Sequence, residues 1–149
     1  MGTRTYRTVL IGRGNVASHF EEALRQTGHQ VISVGGRHRT QPIPTDADLD
    51  VIAVTDSAIR GVAADIGDVK GLVVHTAGSV PMDILPQQNR GVLYPLQTFT
   101  KGRSVDMQEV PLFIESDGDL PLLREVASRI SQHATEMDSH RRRYLHLAA

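Results

Sequence analysis

The sequence predicts a doubly wound α/β domain, a mostly parallel sheet with helices on both faces, and three observations lead there. An apolar run, Val9-Leu10-Ile11, stands directly before Gly12-Arg13-Gly14-Asn15-Val16-Ala17, in which two glycines one residue apart are followed by a small residue. Short apolar runs then alternate with helical patterns along the chain, the order that builds parallel sheets. The first unit, strand to helix to strand, closes within about thirty residues, the span of a right-handed crossover.

Thr8 to Ile11 reads as the first strand. Gly12 permits a tight turn out of it, Gly14 leaves no Cβ in the way of a close ligand, and Ala17 lets the next helix pack close to the strand. Free N–H groups and the positive end of the dipole at that helix start make an anion site without a basic side chain. This is the G-x-G-x-x-A form of the dinucleotide-binding turn. An ordinary glycine turn has the same letters, and the strand before and helix after favour the nucleotide. From Val16 to Thr27 apolar positions recur at helical spacing, and Gly28 ends the helix.

Gln30 to Val34 is the second strand, and the residues after it bear on ligand choice. An NAD site carries Asp or Glu near that strand end for the ribose 2′-hydroxyl, whereas this chain has Gly35-Gly36-Arg37-His38-Arg39. Two guanidinium groups, Arg37 and Arg39, suit a 2′-phosphate; the same cluster also reads as a solvated basic loop. From Thr40 to Asp50, Pro42 and Pro44 break any crossover helix and leave a loop with at most one turn. Asp46, Asp48 and Asp50 have no histidine beside them and read as capping and solvating residues, so no metal site is expected.

Val51 to Val54 is a third strand, after which Asp56 or Ser57 caps a short helix carrying Ile59, Val62, Ala63 and Ile66 inward, with Gly67 as its stop. Leu72 to His75 is the fourth, running into Thr76-Ala77-Gly78-Ser79, which reads equally as one wall of a ligand crevice or as a polar loop. Pro81 and Asp83 suit the first turn of a short helix that Pro86 ends. Val92 to Tyr94 and Leu112 to Glu115 are the next strands. A helix then runs from Asp119 to about His133, and Ala134 to Met137 is a short seventh strand. Asp138 or Ser139 caps a last helix in which Arg141-Arg142-Arg143 precedes Tyr144, Leu145, Leu147 and Ala148. Its apolar face has nothing after it, the look of a truncated helix.

At 149 residues, 40% hydrophobic and 22% charged, the composition fits one globular core rather than a disordered chain. A formal net charge of -1 provides no basis for a nucleic-acid or membrane partner, and the absence of cysteine excludes disulfides and cysteine-based metal sites. The start, Met1 to Arg7, leads into a strand rather than a long apolar run, so a cytoplasmic setting is expected.

With these stretches located, the chain resembles the N-terminal domain of uncharacterised bacterial Rossmann proteins in the superfamily of pyrroline-5-carboxylate reductase and deazaflavin-dependent NADP oxidoreductase. The resemblance rests on Val9 to Ala17, Val51-Ile52-Ala53-Val54-Thr55-Asp56-Ser57-Ala58-Ile59, Val74 to Ser79, Tyr94-Pro95-Leu96-Gln97-Thr98-Phe99 and Leu145-His146-Leu147-Ala148-Ala149. It implies that the turn from Gly12 through Arg13, Gly14 and Asn15 to Val16 holds a pyrophosphate, that Gly36, Arg37 and Arg39 meet the adenine ribose, and that Val54, Thr55 and Asp56 lie along the cofactor. It further implies a dinucleotide-binding domain over residues 1–138 and the start of an interdomain helix over 139–149. The helical C-terminal domain and the homodimer it makes are then expected only in a longer chain, and the 149 residues alone are expected to bind cofactor without turnover. His75, Ser79, Gln97, Lys101 and His146 are the polar candidates on the substrate side. His75 reads as a core histidine or an acid, and His146 as a proton donor or a surface histidine. The expectation is NADP(H) rather than NAD, with a small molecule bearing C=O or C=N as substrate. The alternative is a non-enzymatic nucleotide-binding module that senses or scaffolds.

Overall fold

The computed structural model describes residues 4–36 and 39–148. Seven strands form one sheet: β1 Arg7–Ile11, β2 Gln30–Val34, β3 Leu49–Ile52, β4 Leu72–His75, β5 Arg90–Pro95, β6 Leu112–Ser116 and β7 Ala134–Glu136. Their spatial order is β2-β1-β3-β4-β5-β6-β7. Every pairing is parallel except β5 with β6. This is an α/β Rossmann-like architecture whose order reverses at β1, with β2 on one side and β3 on the other.

Four helices complete it: α1 Asn15–Gln26, α2 Ile59–Ile66, α3 Leu120–Ile130 and α4 Ser139–Ala148. Successive strand residues face opposite sides of a sheet, so one apolar strand supplies two cores. Leu10 packs with Phe20 and Leu24 of α1 and Leu123 and Val126 of α3, while its neighbours Val9 and Ile11 pack with Ile59, Val62 and Ile66 of α2. Each such large apolar side chain contributes roughly 1.5–3 kcal/mol on burial.

Local chemistry adjusts several expected boundaries. The third strand runs Leu49–Ile52 rather than Val51 to Val54, because pairing with Thr8 to Ile11 captures Leu49 and Asp50. The third helix stops at Ile130 instead of His133: Ser131 takes an extended backbone, its hydroxyl donates to the Val110 carbonyl at 2.5 Å, and it accepts from the His133 amide. The short helix expected after Pro81 is a single 3₁₀ turn, Met82–Ile84. The link from β2 to β3 has no helix among its described residues, as Pro42 and Pro44 dictate. No helix between β5 and β6 carries the chain back across the sheet, so β6 returns antiparallel, and residues 96–111 stay at the carboxyl edge of the strands.

Asp50 of β3 and His75 of β4 are titratable side chains buried inside the sheet layers. Asp50, 1% exposed, sits in register between Val9 and Val73, and its Oδ1 has no partner among the described residues. Burial pushes this carboxyl up from 3.8 to about 7. His75 is fully enclosed, and burial pulls its imidazole down from 6.5 to about 4, although the bond to the Pro81 carbonyl acts the other way. The signs of linkage are opposite. For Asp50, with its folded value raised, the contribution to stability is fully present below about 4 and is lost as pH rises to about 7. For His75, with its folded value depressed, the contribution is present above 6.5 and is lost as pH falls to about 4. At ~1.4 kcal/mol per pH unit these are on the order of 4 kcal/mol for Asp50 and 3 kcal/mol for His75, and the two largely offset. Denaturant melts across this range are expected to show Asp50→Asn gaining stability relative to wild type as pH rises, and His75→Gln losing it. Parallel profiles for all three proteins would contradict this account.

Candidate functional site

A cleft of about 1060 Å³ opens at the carboxyl ends of the strands, over the point where the strand order reverses. Its floor is the turn between β1 and α1. Gly12 there has φ of 133°, and a Cβ on it would collide with the carbonyl oxygen of Ala53, so only glycine lets β1 and the end of β3 approach this closely. Gly14 differs: its backbone is extended and a Cβ would meet nothing within 4 Å, because that space belongs to the cleft.

Helix α1 begins in this space with no side chain capping its first amides, whereas Asp119 caps α3 by accepting from the Leu122 amide at 3.2 Å. The uncapped N–H groups and the helix dipole therefore face an open pocket. The Asn15 side chain is turned aside, donating to the Phe99 carbonyl at 3.2 Å, and His19 contacts the Arg103 carbonyl at 3.3 Å. These bonds hold the segment after β5 against the start of α1. Gln97 and Phe99 of that segment line the cleft, while Lys101 stands exposed outside it.

One end of the cleft lies beyond β2, where Gly35, Gly36, Arg39 and Thr40 form the wall. Arg39 was expected to meet an anion, but its guanidinium donates to Asp65 at 2.6 Å and to the Gly36 carbonyl at 2.9 Å. Its charge is already compensated. Arg37 lies outside the described residues. Val54, Thr55 and Asp56 come after β3 and line the middle of the cleft, and Thr76 to Gly78 come after β4.

At the opposite end, Tyr94 of β5 meets His146 of α4, its hydroxyl 2.8 Å from His146 Nδ1. Gly78 makes this meeting possible, since a Cβ there would run into both rings. Tyr94 is 7% exposed, and burial raises its phenol above the usual value, so the hydroxyl keeps its proton at neutral pH.

The placement of His146 is set one helical turn earlier. Arg142 is 1% exposed; it donates to Glu115 Oε1 at 3.0 Å and to the Val80 carbonyl at 2.6 Å. Glu115 also accepts from the Ser139 amide and hydroxyl at the start of α4. Residues four apart share a helix face, so anchoring Arg142 turns His146 toward the cleft and leaves Tyr144 and Leu147 outward, 66% and 72% exposed.

Of the five polar candidates His75, Ser79, Gln97, Lys101 and His146, the structure brings Gln97 and His146 to the cleft wall. His75, which reads from the sequence as a core histidine or an acid, is placed in the core: its Nδ1 accepts from the Ala77 amide at 3.1 Å and its Nε2 lies 3.3 Å from the Pro81 carbonyl, so both nitrogens are engaged inside the sheet. Ser79 donates to Asp56 at 3.2 Å, off the cleft wall, and Lys101 points into solvent. Reading the sequence missed Tyr94, Arg142 and Glu115. The four-residue spacing of Arg142 and His146 was the available signal, but three consecutive arginines conceal which one enters the core. Among the described residues no cluster of His, Cys, Asp and Glu could hold a metal ion, and no helix is long and apolar enough to cross a membrane.

No protein-family model matches this sequence, and a search of curated proteins returns no match. Solved structures do match. A "putative NADP oxidoreductase" from Bacteroides fragilis is 32% identical, with a TM-score of 0.83 over 97% of this chain and 65% of that one. A protein of Thermotoga maritima is 17% identical, with a TM-score of 0.73 over 95% of this chain and 61% of that one. The 1-pyrroline-5-carboxylate reductase of Streptococcus pyogenes is 15% identical, with a TM-score of 0.69 over 91% and 60%. The fold is thus that of NAD(P)-binding Rossmann proteins. The 1-pyrroline-5-carboxylate reductase shares this fold. The chain spans slightly less than two-thirds of the length of these relatives.

Because Arg142 is buried, removing its counter-charge leaves a cation stranded in the core, a change that costs about 3–5 kcal/mol. Glu115→Gln is expected to lower stability and to speed amide exchange in α4 at least ~10-fold. Exchange in α4 at the wild-type rate would show that the pair does not hold the helix.

Proposed function

We propose that this domain binds NADP(H) as the cofactor half of an oxidoreductase that reduces a small C=O or C=N substrate. The observation that carries the proposal is the continuity of one cleft, from the glycine end of β2, over the uncapped start of α1, to the Tyr94–His146 pair. The residues present fit a dinucleotide: the space at Gly14 is open, and unpaired amides at the helix start suit a pyrophosphate. The backbone of Gly12, Arg13, Gly14, Asn15 and Val16 would hold that group, Gly36 would lie beside the adenine ribose, and Val54, Thr55 and Asp56 would flank the nicotinamide half. Preference for the phosphorylated cofactor is supported by the lack of a carboxylate after β2, where Gly35 and Gly36 stand.

Bound there, the nicotinamide supplies a hydride. The chain's own part is orientation and a proton. A phenol is a better donor than an imidazole N–H, and an imidazole nitrogen is the better acceptor, so Tyr94 donates to His146 Nδ1. That bond selects the tautomer with the proton on Nε2, which would face the oxygen or nitrogen on which negative charge develops.

Calorimetric titration is expected to show NADPH binding more tightly than NADH by about tenfold or more, the worth of one charge-assisted phosphate contact. Gly14→Val is expected to keep the circular dichroism spectrum of the wild type and to lose NADPH binding, because the side chain enters the open space. A Gly14→Val protein that binds NADPH normally, or a wild type that binds neither cofactor, rules the proposal out.

A further inference from the structure

We infer that Arg13, the residue between the two glycines of the turn, is the cation that selects a nucleotide carrying a 2′-phosphate. The inference rests on the dinucleotide reading of the cleft and adds the determinant of its specificity. Arg13 belongs to the β1 turn by sequence, yet its side chain reaches sideways to the end of β2. Its Nε and Nη2 lie 3.3 and 3.5 Å from where a Cβ on Gly35 would stand. The guanidinium therefore rests across a strand end that presents no side chain, at the place where a ribose 2′ substituent meets the protein in an open α/β sheet.

The pairing of charges at this end of the cleft separates Arg13 from its neighbour. Arg39 is held in an ion pair with Asp65 at 2.6 Å, with its side chain only 12% exposed. Arg13 is exposed on the cleft wall and has no ion-pair partner among the described residues. No carboxylate lines the cleft beside Gly35 and Gly36. Among the described residues, a dianionic phosphate placed there would meet the uncompensated planar fork of Arg13, the geometry that guanidinium groups use for bidentate phosphate contacts. Gly35 is part of the device: a Cβ on it would stand 3.2 Å from the Arg39 Cβ and 3.3 Å from the Arg13 Nε, so its bare backbone leaves room for the fork to lie across the strand end.

Two probes isolate the adenosine end: adenosine 2′,5′-bisphosphate and adenosine 5′-monophosphate, titrated into wild type, Arg13→Ala, Arg37→Ala and Arg39→Ala. Wild type is expected to prefer the bisphosphate by roughly tenfold or more, the worth of a charge-assisted contact. Arg13→Ala is expected to reduce that ratio to within about threefold while leaving the monophosphate affinity and the circular dichroism spectrum unchanged. Arg39→Ala is expected to keep most of the ratio, because its charge is already paired with Asp65. Retention of the ratio by Arg13→Ala, or its loss in either other variant alone, overturns the assignment. Equal wild-type affinity for both probes overturns it while leaving dinucleotide binding intact, and a wild type that binds neither probe nor NADPH removes both.

Discussion

The close approach of the β1 turn to the end of β3 is the constraint on which the cleft depends. Where Gly12 passes the Ala53 carbonyl there is room for a backbone and nothing more. That contact brings the ends of β1 and β3 together, while β2 and its following loop depart on the other side. The crevice between them is a consequence of strand order. The uncapped start of α1 then lies at the bottom of the crevice because the helix begins directly after the turn. Sequence, backbone conformation and electrostatics converge here on one feature, an anion-seeking floor with no side chain over it.

The far end of the cleft is held by a different device. A buried ion pair between Arg142 and Glu115 ties α4 to β6, and Glu115 binds both the helix start and the guanidinium. Such a pair is costly to desolvate and adds little net stability, so its contribution is position. It determines which face of α4 turns inward, and through the helical repeat it brings His146 to Tyr94. The outward face keeps Tyr144 and Leu147 in solvent as a result.

The two ends of the cleft are thus built on separate supports. Glycines and backbone amides shape the end beside β2. Hydrogen-bonded side chains shape the end beside α4. In the sheet between them burial holds the His75 imidazole neutral near neutrality and raises the Asp50 carboxyl toward its protonated form.

Much of this architecture was legible in the sequence. The glycine turn, the alternation of apolar runs with helical patterns, the prolines that break the β2 to β3 link and the Asp119 cap are local signals, and local signals act over a few residues whatever the rest of the chain does. The mostly parallel sheet and the positions of its strands arise from them. Long-range contacts decided the rest. Pairing with β1 moved β3 two residues earlier, and Asp65, distant in sequence, took the charge of Arg39. A carboxylate on β6 selected one arginine out of three, and packing against Gly78 made a surface-like histidine a partner of Tyr94. His75 became a core residue because its two nitrogens found the Ala77 amide and the Pro81 carbonyl. Residue type and spacing determine which elements form and where a phosphate could rest. Which charges are left free at the ends of the cleft depends on pairings between residues far apart in the chain, and these exist only once the layers have packed.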